Sequence, residues 1–169
     1  SAKAAKEVAA LAQAMGAQTM LLACDVSDEV AVRAMLAQVE AQFGHLDALV
    51  NNAGTTKLCP HDDLEGLDAE DFHRLYAVNS IGAFQMIRAV VPLMKKTGGS
   101  IVNVASVAGL IGVGTSLAYA CSKAALLAIN KSMARNLGPE IRVNAVCPGF
   151  VEGEWLHGLL GEDMYGAIK

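Results

Sequence analysis

Apolar residues recur along the chain in two rhythms that take turns. Val8, Leu11, Ala12 and Met15 fall at helical spacing between Ala2 and Met15, and Gly16 supplies a stop. Thr19 to Ala23 reads as a buried strand, closed by Cys24-Asp25-Val26. Ser27, followed by Asp28 and Glu29, predicts a helix start whose acids suit the amino end; this helix runs to about Phe43, with Gly44 as cap. Ala48 to Val50 predicts a strand leading into Asn51-Asn52-Ala53-Gly54, and Thr55 to Leu67 is polar and irregular. A long helical region follows from about Asp68 to Lys96, with Pro92 near its end and Gly98-Gly99 as the stop. Asn79 inside it is unfavourable, because its side chain competes for backbone groups, so some compensation is expected there. Ser100 to Ala105 predicts a strand, Leu117 to Leu137 a helix ended by Gly138-Pro139, and Ile141 to Cys147 the last strand. The alternation predicts an α/β, doubly wound fold with a parallel sheet.

Composition bounds what such a fold can do. With 169 residues and 53% hydrophobic content the chain suffices for one domain, expected to span residues 1–169. A net charge of -4, with thirteen basic residues that form no clustered stretch, argues against nucleic acid as a partner. Lys3, Lys6 and Glu7 interrupt the first alanines, so no signal peptide is expected. The most apolar stretch, Ile101 to Ala120, has about the length of a membrane span. Three glycines and Asn103 break it into a strand and a loop, which predicts a soluble protein without a membrane partner. Cys24, Cys59, Cys121 and Cys147 lack metal or redox spacing and fit free thiols in a reducing cytoplasm. No metal is expected: His45, His61, His73 and His157 show no ligand spacing, and Asp62-Asp63 reads as a solvated pair. Cys121 reads as a packing residue.

The stretch from Ser106 to Lys123, SVAGLIGVGTSLAYACSK, carries chemistry. It places a tyrosine thirteen positions after a serine and a lysine four beyond that. Tyr119 and Lys123 share one face of the expected helix. A free tyrosine titrates at about 10, and a nearby ammonium favours the phenolate, so the spacing predicts a Tyr119 with lowered pKa that works as general acid and base. Ser106 leaves the carboxyl end of a strand, where open α/β sheets bind ligands, and its hydroxyl would hold a carbonyl oxygen. Taken alone, Tyr-x-x-x-Lys also describes many surface helices.

Its company narrows the reading. Asn51-Asn52-Ala53-Gly54 after a strand, Asn79 in a helix, Ser106 before Tyr119-x-x-x-Lys123, and Pro148-Gly149 after the next strand stand in this order. The set resembles the short-chain dehydrogenase/reductase family over nearly the whole chain. That resemblance implies a Rossmann-like sheet, NAD or NADP as cofactor, and a small-molecule carbonyl or alcohol substrate. It implies that Ser106 polarises the carbonyl, Tyr119 moves the proton, and Lys123 lowers the tyrosine pKa and touches the nicotinamide ribose. By the same resemblance Asn79 distorts its helix and completes a proton relay through a water. Asn52, Ala53 and Gly54 would contact the adenosine side, Asp25 and Val26 would border the adenine ring, and Pro148, Gly149 and Val151 would turn over the nicotinamide. For Asp25 a role as helix-flanking acid stays open. Gly153 replaces a threonine usual in the family, removing a hydroxyl offered to the cofactor. The helices in Ile81 to Met94 and Leu117 to Leu137 carry surplus apolar positions, and the resemblance implies that they form the interface of a homodimer or homotetramer.

The glycine-rich phosphate fingerprint of this fold, TGxxxGxG or GxGxxG, does not occur in the chain. With strand order 3-2-1-4-5-6, the chain is expected to own strands three to six, and its third strand to lack both neighbours joining it to the fourth. It therefore reads as an internal, incomplete piece of a longer reductase, or as the product of a truncated reading frame. The expected function is hydride transfer between nicotinamide and a carbonyl or alcohol carbon, with 3-oxoacyl thioesters or hydrophobic alcohols as candidate substrates. Leu110 to Val113 and Trp155-Leu156 favour a partly apolar substrate, although Trp155 fits a core cap equally well. The alternatives are a non-catalytic dimerisation module and a dehydratase or epimerase of the same family.

Overall fold

A computed structural model describes residues 2–151 and Gly158 of the chain. Gly153, Trp155, Leu156 and His157 lie outside the described residues. Helix α1 covers Ala2–Ala14 and α2 covers Glu29–Phe43. Strand β1 is Ala48–Asn51, α3 is Ala69–Tyr76, and a π-helical turn, Ala77–Gly82, joins α3 to α4, Ala83–Met94. Strand β2, Gly99–Val104, leads through the short α5, Ala108–Ile111, to α6, Leu117–Leu137, and then β3, Ile141–Val146.

Local chemistry accounts for the boundaries. Asp28 caps α2, its carboxylate accepting from the Val30 and Ala31 N–H groups at 2.8 and 3.2 Å, and Gly44 closes that helix in the left-handed region at φ 74°. The cap is therefore Asp28 rather than Ser27, whose N–H and hydroxyl are taken up by Asp25. Asp68 and Asp71 form a capping box at the start of α3. The expected single helix from Asp68 to Lys96 is interrupted at Asn79 by the π-turn, because the asparagine amide bonds outside the helix (below).

The three strands form a parallel sheet in the order β1-β2-β3, with Asn51 beside Asn103 and Val104 beside Val146. Leu49, Ile101, Ile141 and Val143 from the sheet meet Ile87, Val90 and Met94 of α4 in the core, and Leu36 of α2 and Ile129, Met133 and Leu137 of α6 pack around them. Burial alternates along the strands: Leu49 and Asn51 are buried, whereas Val50 is 61% exposed and Val146 47%. One face of the sheet is thus covered and the other open among the described residues, half of the doubly covered arrangement that parallel sheets adopt. Residues 19–23, expected as a strand, are irregular. A strand exists through its ladder, and among the described residues the sheet begins at β1 and gives this segment no neighbouring strand to bond. The run Ala69–Met94 is long and apolar enough to cross a membrane by composition, but Leu75, Ile87, Val90, Leu93 and Met94 spend that apolar character in the core.

A close approach ties α5 to α6. A Cβ on Gly109 would lie 2.6 Å from the Lys123 carbonyl carbon and 2.7 Å from the Ala124 nitrogen. Since both atoms are backbone, Gly109→Ala forces α5 off α6 and should cost about 1–3 kcal/mol. Gly149→Ala, with nothing within 4 Å, should leave stability unchanged. Urea unfolding of the intact protein checks the pair; equal midpoints would contradict this packing.

Candidate active site

The carboxyl ends of all three strands open on one cavity of about 920 Å³. Asn52 and Gly54 after β1, Ser106 after β2, and Pro148 to Val151 after β3 contribute to its wall, and Tyr119 and Lys123 reach it from α6. The strand ends are held together beyond the ladder, Ala105 N–H donating to Val146 O at 2.9 Å and Val107 N–H to Pro148 O at 3.0 Å. Between them, a ladder of buried amides crosses the sheet. Asn51 donates to Asn103 Oδ1, and Asn103 donates to Asn130 of α6, both at 2.9 Å. Asn51 is thus a structural residue, and Asn52 is the one that faces the cavity.

Ser116 sets the start of α6. Its hydroxyl accepts from Tyr119 N–H at 3.2 Å, placing Tyr119 in the first turn and Lys123 one turn later on the same side. Ser106 Oγ accepts from Ala108 N–H at 3.2 Å, which leaves its proton for another acceptor. Lys123 is 4% exposed and donates to Val104 O at 2.8 Å. Burial lowers its pKa.

The Tyr119 phenol departs from the sequence-based expectation. Burial raises its pKa above the ordinary value, and the Ser106 side chain draws it only part of the way back. The Lys123 ammonium lies over the face of the tyrosine ring, 5.8 Å from its centroid, where it makes a cation–π contact rather than a bond to the hydroxyl. Spacing of four residues put the two on one face but could not say which part of the ring the ammonium meets.

Asn79 stands behind the cavity, 1% exposed. Its Oδ1 accepts from Thr55 N–H at 2.8 Å, and its Nδ2 donates to Thr55 O and to Ser122 Oγ, both at 2.9 Å. Gly54 adjoins this clamp: a Cβ there would lie 3.4 Å from Asn79 Oδ1 and 3.6 Å from Lys123 Nζ. Thr55 and Ser122 had no motif to announce them; Ser116, directly before an apolar helical pattern, carried a legible cap signal. Ala53, Asp25 and Val26 are not brought into the cavity wall. The Asp25 carboxylate accepts from Ser27 N–H and Oγ at 2.9 and 2.7 Å, so it serves the turn ahead of α2. Val26 packs against Gly82 of the π-turn, and its carbonyl accepts from Gln85. Cys121 also lies away from the wall, and among the described residues no cluster of His, Cys, Asp or Glu is arranged to hold a metal.

The fold that brings these strand ends together has counterparts. A family model described as enoyl-(acyl carrier protein) reductase matches residues 1–168. A crystal structure from Burkholderia xenovorans described as a short-chain dehydrogenase/reductase superposes with TM-score 0.88 at 43% identity, covering 91% of this chain and 64% of that one. This chain belongs to the short-chain dehydrogenase/reductase family. A second solved structure, an NAD+-bound xylitol dehydrogenase, gives TM-score 0.85 at 34% identity over 92% of this chain and 60% of its own. The 3-oxoacyl-[acyl-carrier-protein] reductase of Escherichia coli is 33% identical over 161 residues, 94% of this chain and 65% of the relative. The chain spans from 51 to 67% of the length of eight curated relatives that it matches. The fold of this short-chain dehydrogenase/reductase is accordingly a Rossmann-like α/β sheet, seen here in part.

The pKa directions give a test. The Tyr119 phenolate absorbance, taken as the difference between the intact protein and its Tyr119→Phe variant, should rise only above the ordinary tyrosine value of about 10. Ser106→Ala should move it higher still, because the lowering neighbour is lost. Ionisation below 10 in the unliganded protein would contradict the geometry described.

Proposed function

We propose that the protein carrying this chain is an NAD- or NADP-dependent oxidoreductase that interconverts a carbonyl and an alcohol. One observation carries the reading: Ser106, Tyr119 and Lys123 border a single cavity at the carboxyl edge of the sheet, with Asn79 locked behind them. The donor set suits a nicotinamide coenzyme. Of the three donors on an ammonium, one on Lys123 goes to Val104 O, which leaves hydrogen bonds for ribose hydroxyls. Gly54, with no side chain beside Lys123 Nζ, keeps that approach open, and Asn52, Pro148, Gly149 and Val151 extend the wall. When bound, the coenzyme supplies or accepts the hydride.

The remaining chemistry belongs to the chain. Ser106 donates a hydrogen bond to the substrate oxygen, keeping its own proton, and so polarises the carbonyl. Tyr119, kept neutral by burial, is charged with the proton that a reduction needs and delivers it to that oxygen. The phenolate left behind is stabilised by the Lys123 ammonium, in a site where low dielectric strengthens the attraction. Asn79 fixes the wall against which both groups work. In the oxidation direction the same proton returns to Tyr119.

Two further features complete the proposal. Ile81, Phe84 and Leu117 are large apolar side chains left exposed on the π-turn, α4 and α6, which supports pairing of these helices in a homo-oligomer. Cys24, Cys59, Cys121 and Cys147 are all free thiols, which supports a reducing, cytoplasmic setting.

In the intact protein, Tyr119→Phe should lower turnover of carbonyl substrates at least about a thousandfold while coenzyme binding, followed by calorimetry, stays within a few-fold. Lys123→Met should shift the rise of the oxidation rate to higher pH, since the phenolate loses its cation. Most of the original rate in Tyr119→Phe, or an unmoved pH profile in Lys123→Met, would overturn these roles.

A further inference from the structure

Ser122 lies between Tyr119 and Lys123 in sequence, is 0% exposed and takes no part in the chemistry above. Its hydroxyl donates to Tyr119 O at 2.8 Å and accepts from Asn79 Nδ2 at 2.9 Å. Its own carbonyl accepts from Ser80 Oγ at 2.7 Å. Asn79 and Ser80, adjacent residues of the π-turn, therefore both dock on this single residue of α6.

The directions of these bonds matter. Because the Ser122 proton is committed to Tyr119 O, its oxygen can only accept, and it selects the NH2 end of the Asn79 amide. Asn79 Oδ1 is thereby turned to the Thr55 N–H, while the second Nδ2 proton meets Thr55 O. A reversed amide would set two acceptors together at Ser122 and two donors together at Thr55, with the Asn79 and Ser122 side chains out of water. We infer that Ser122 is a positioning residue: its hydroxyl fixes the orientation of the Asn79 amide and so holds the Gly54–Thr55 turn against Lys123. The inference rests on the proposed function for its consequence in turnover, but the geometry it describes is independent of substrate.

Ser122→Thr and Ser122→Val separate the hydroxyl from the space it fills, since the two side chains have nearly the same shape; Ser122→Ala serves where the added methyl blocks folding. The primary measurement is amide hydrogen exchange at Thr55 in the intact protein, read by NMR. Exchange should quicken about tenfold in the Val and Ala variants and stay near the original rate in the Thr variant. Equal exchange at Thr55 in the original protein and in Val or Ala overturns the inference. Turnover of 2-butanol with NAD or NADP gives the second readout. In Ser122→Ala kcat should fall about tenfold with little change in KM, and in an Asn79→Ala background the same substitution should cost less than about twofold. Losses that multiply in the double variant would show that Ser122 acts apart from Asn79 and overturn the inference. Full turnover in Asn79→Ala would instead remove Asn79 from the proposed function, a failure distinguishable because the Thr55 exchange result stands on its own.

Discussion

A buried ammonium is the constraint around which the rest of this structure is arranged. Lys123 reaches from α6 to the end of β2, almost out of contact with water, bonded to the Val104 carbonyl and, among the described residues, without an acidic partner in the wall of the cavity. Taking a cation out of water is expensive unless something is gained from it, and burial here already weakens the hold of Lys123 on its proton. Three features maintain the position: Gly109, whose missing side chain lets α5 close over the Lys123 backbone; the Ser116 cap, which sets the first turn of α6; and the π-turn, which brings Asn79 and Ser80 onto Ser122 beside it. Strained or costly arrangements of this kind collect where chemistry is done.

That arrangement also assigns roles to two neighbouring groups by environment alone. Burial favours the neutral forms of both Tyr119 and Lys123, so the phenol holds its proton at rest. The cation over the ring face is then placed to respond when that proton leaves. Asn79 adds rigidity rather than charge, pairing with both backbone groups of Thr55 much as a neighbouring strand would.

Much of this could be read in the residue order. Helix α6 has the expected limits because Ser116 and Gly138-Pro139 punctuate it, and the chemistry-bearing serine, tyrosine and lysine meet in one cavity because the fold brings strand ends together. Other features are properties of pairs and were hidden. Residues 19–23 have the composition of a strand but no ladder partner beside β1. Asn79 signalled some disturbance of its helix, yet only the contacts of its amide show that the disturbance is a π-turn gripping Thr55. Asp25, expected beside a cofactor ring, also holds Ser27 through one oxygen of its carboxylate, a contact that spacing did not announce. The i, i+4 spacing of Tyr119 and Lys123 set a shared face but not the sign of the tyrosine shift, which burial decides.

The central claim is that a hydride, and not merely a proton, crosses this cavity. It is tested most directly by oxidising a secondary alcohol deuterated at the carbinol carbon with the intact protein and locating the label by mass spectrometry. The account predicts that the deuterium appears in the reduced nicotinamide coenzyme, mole for mole with the ketone formed. Deuterium released to solvent, or a product formed without reduction of the coenzyme, would contradict it.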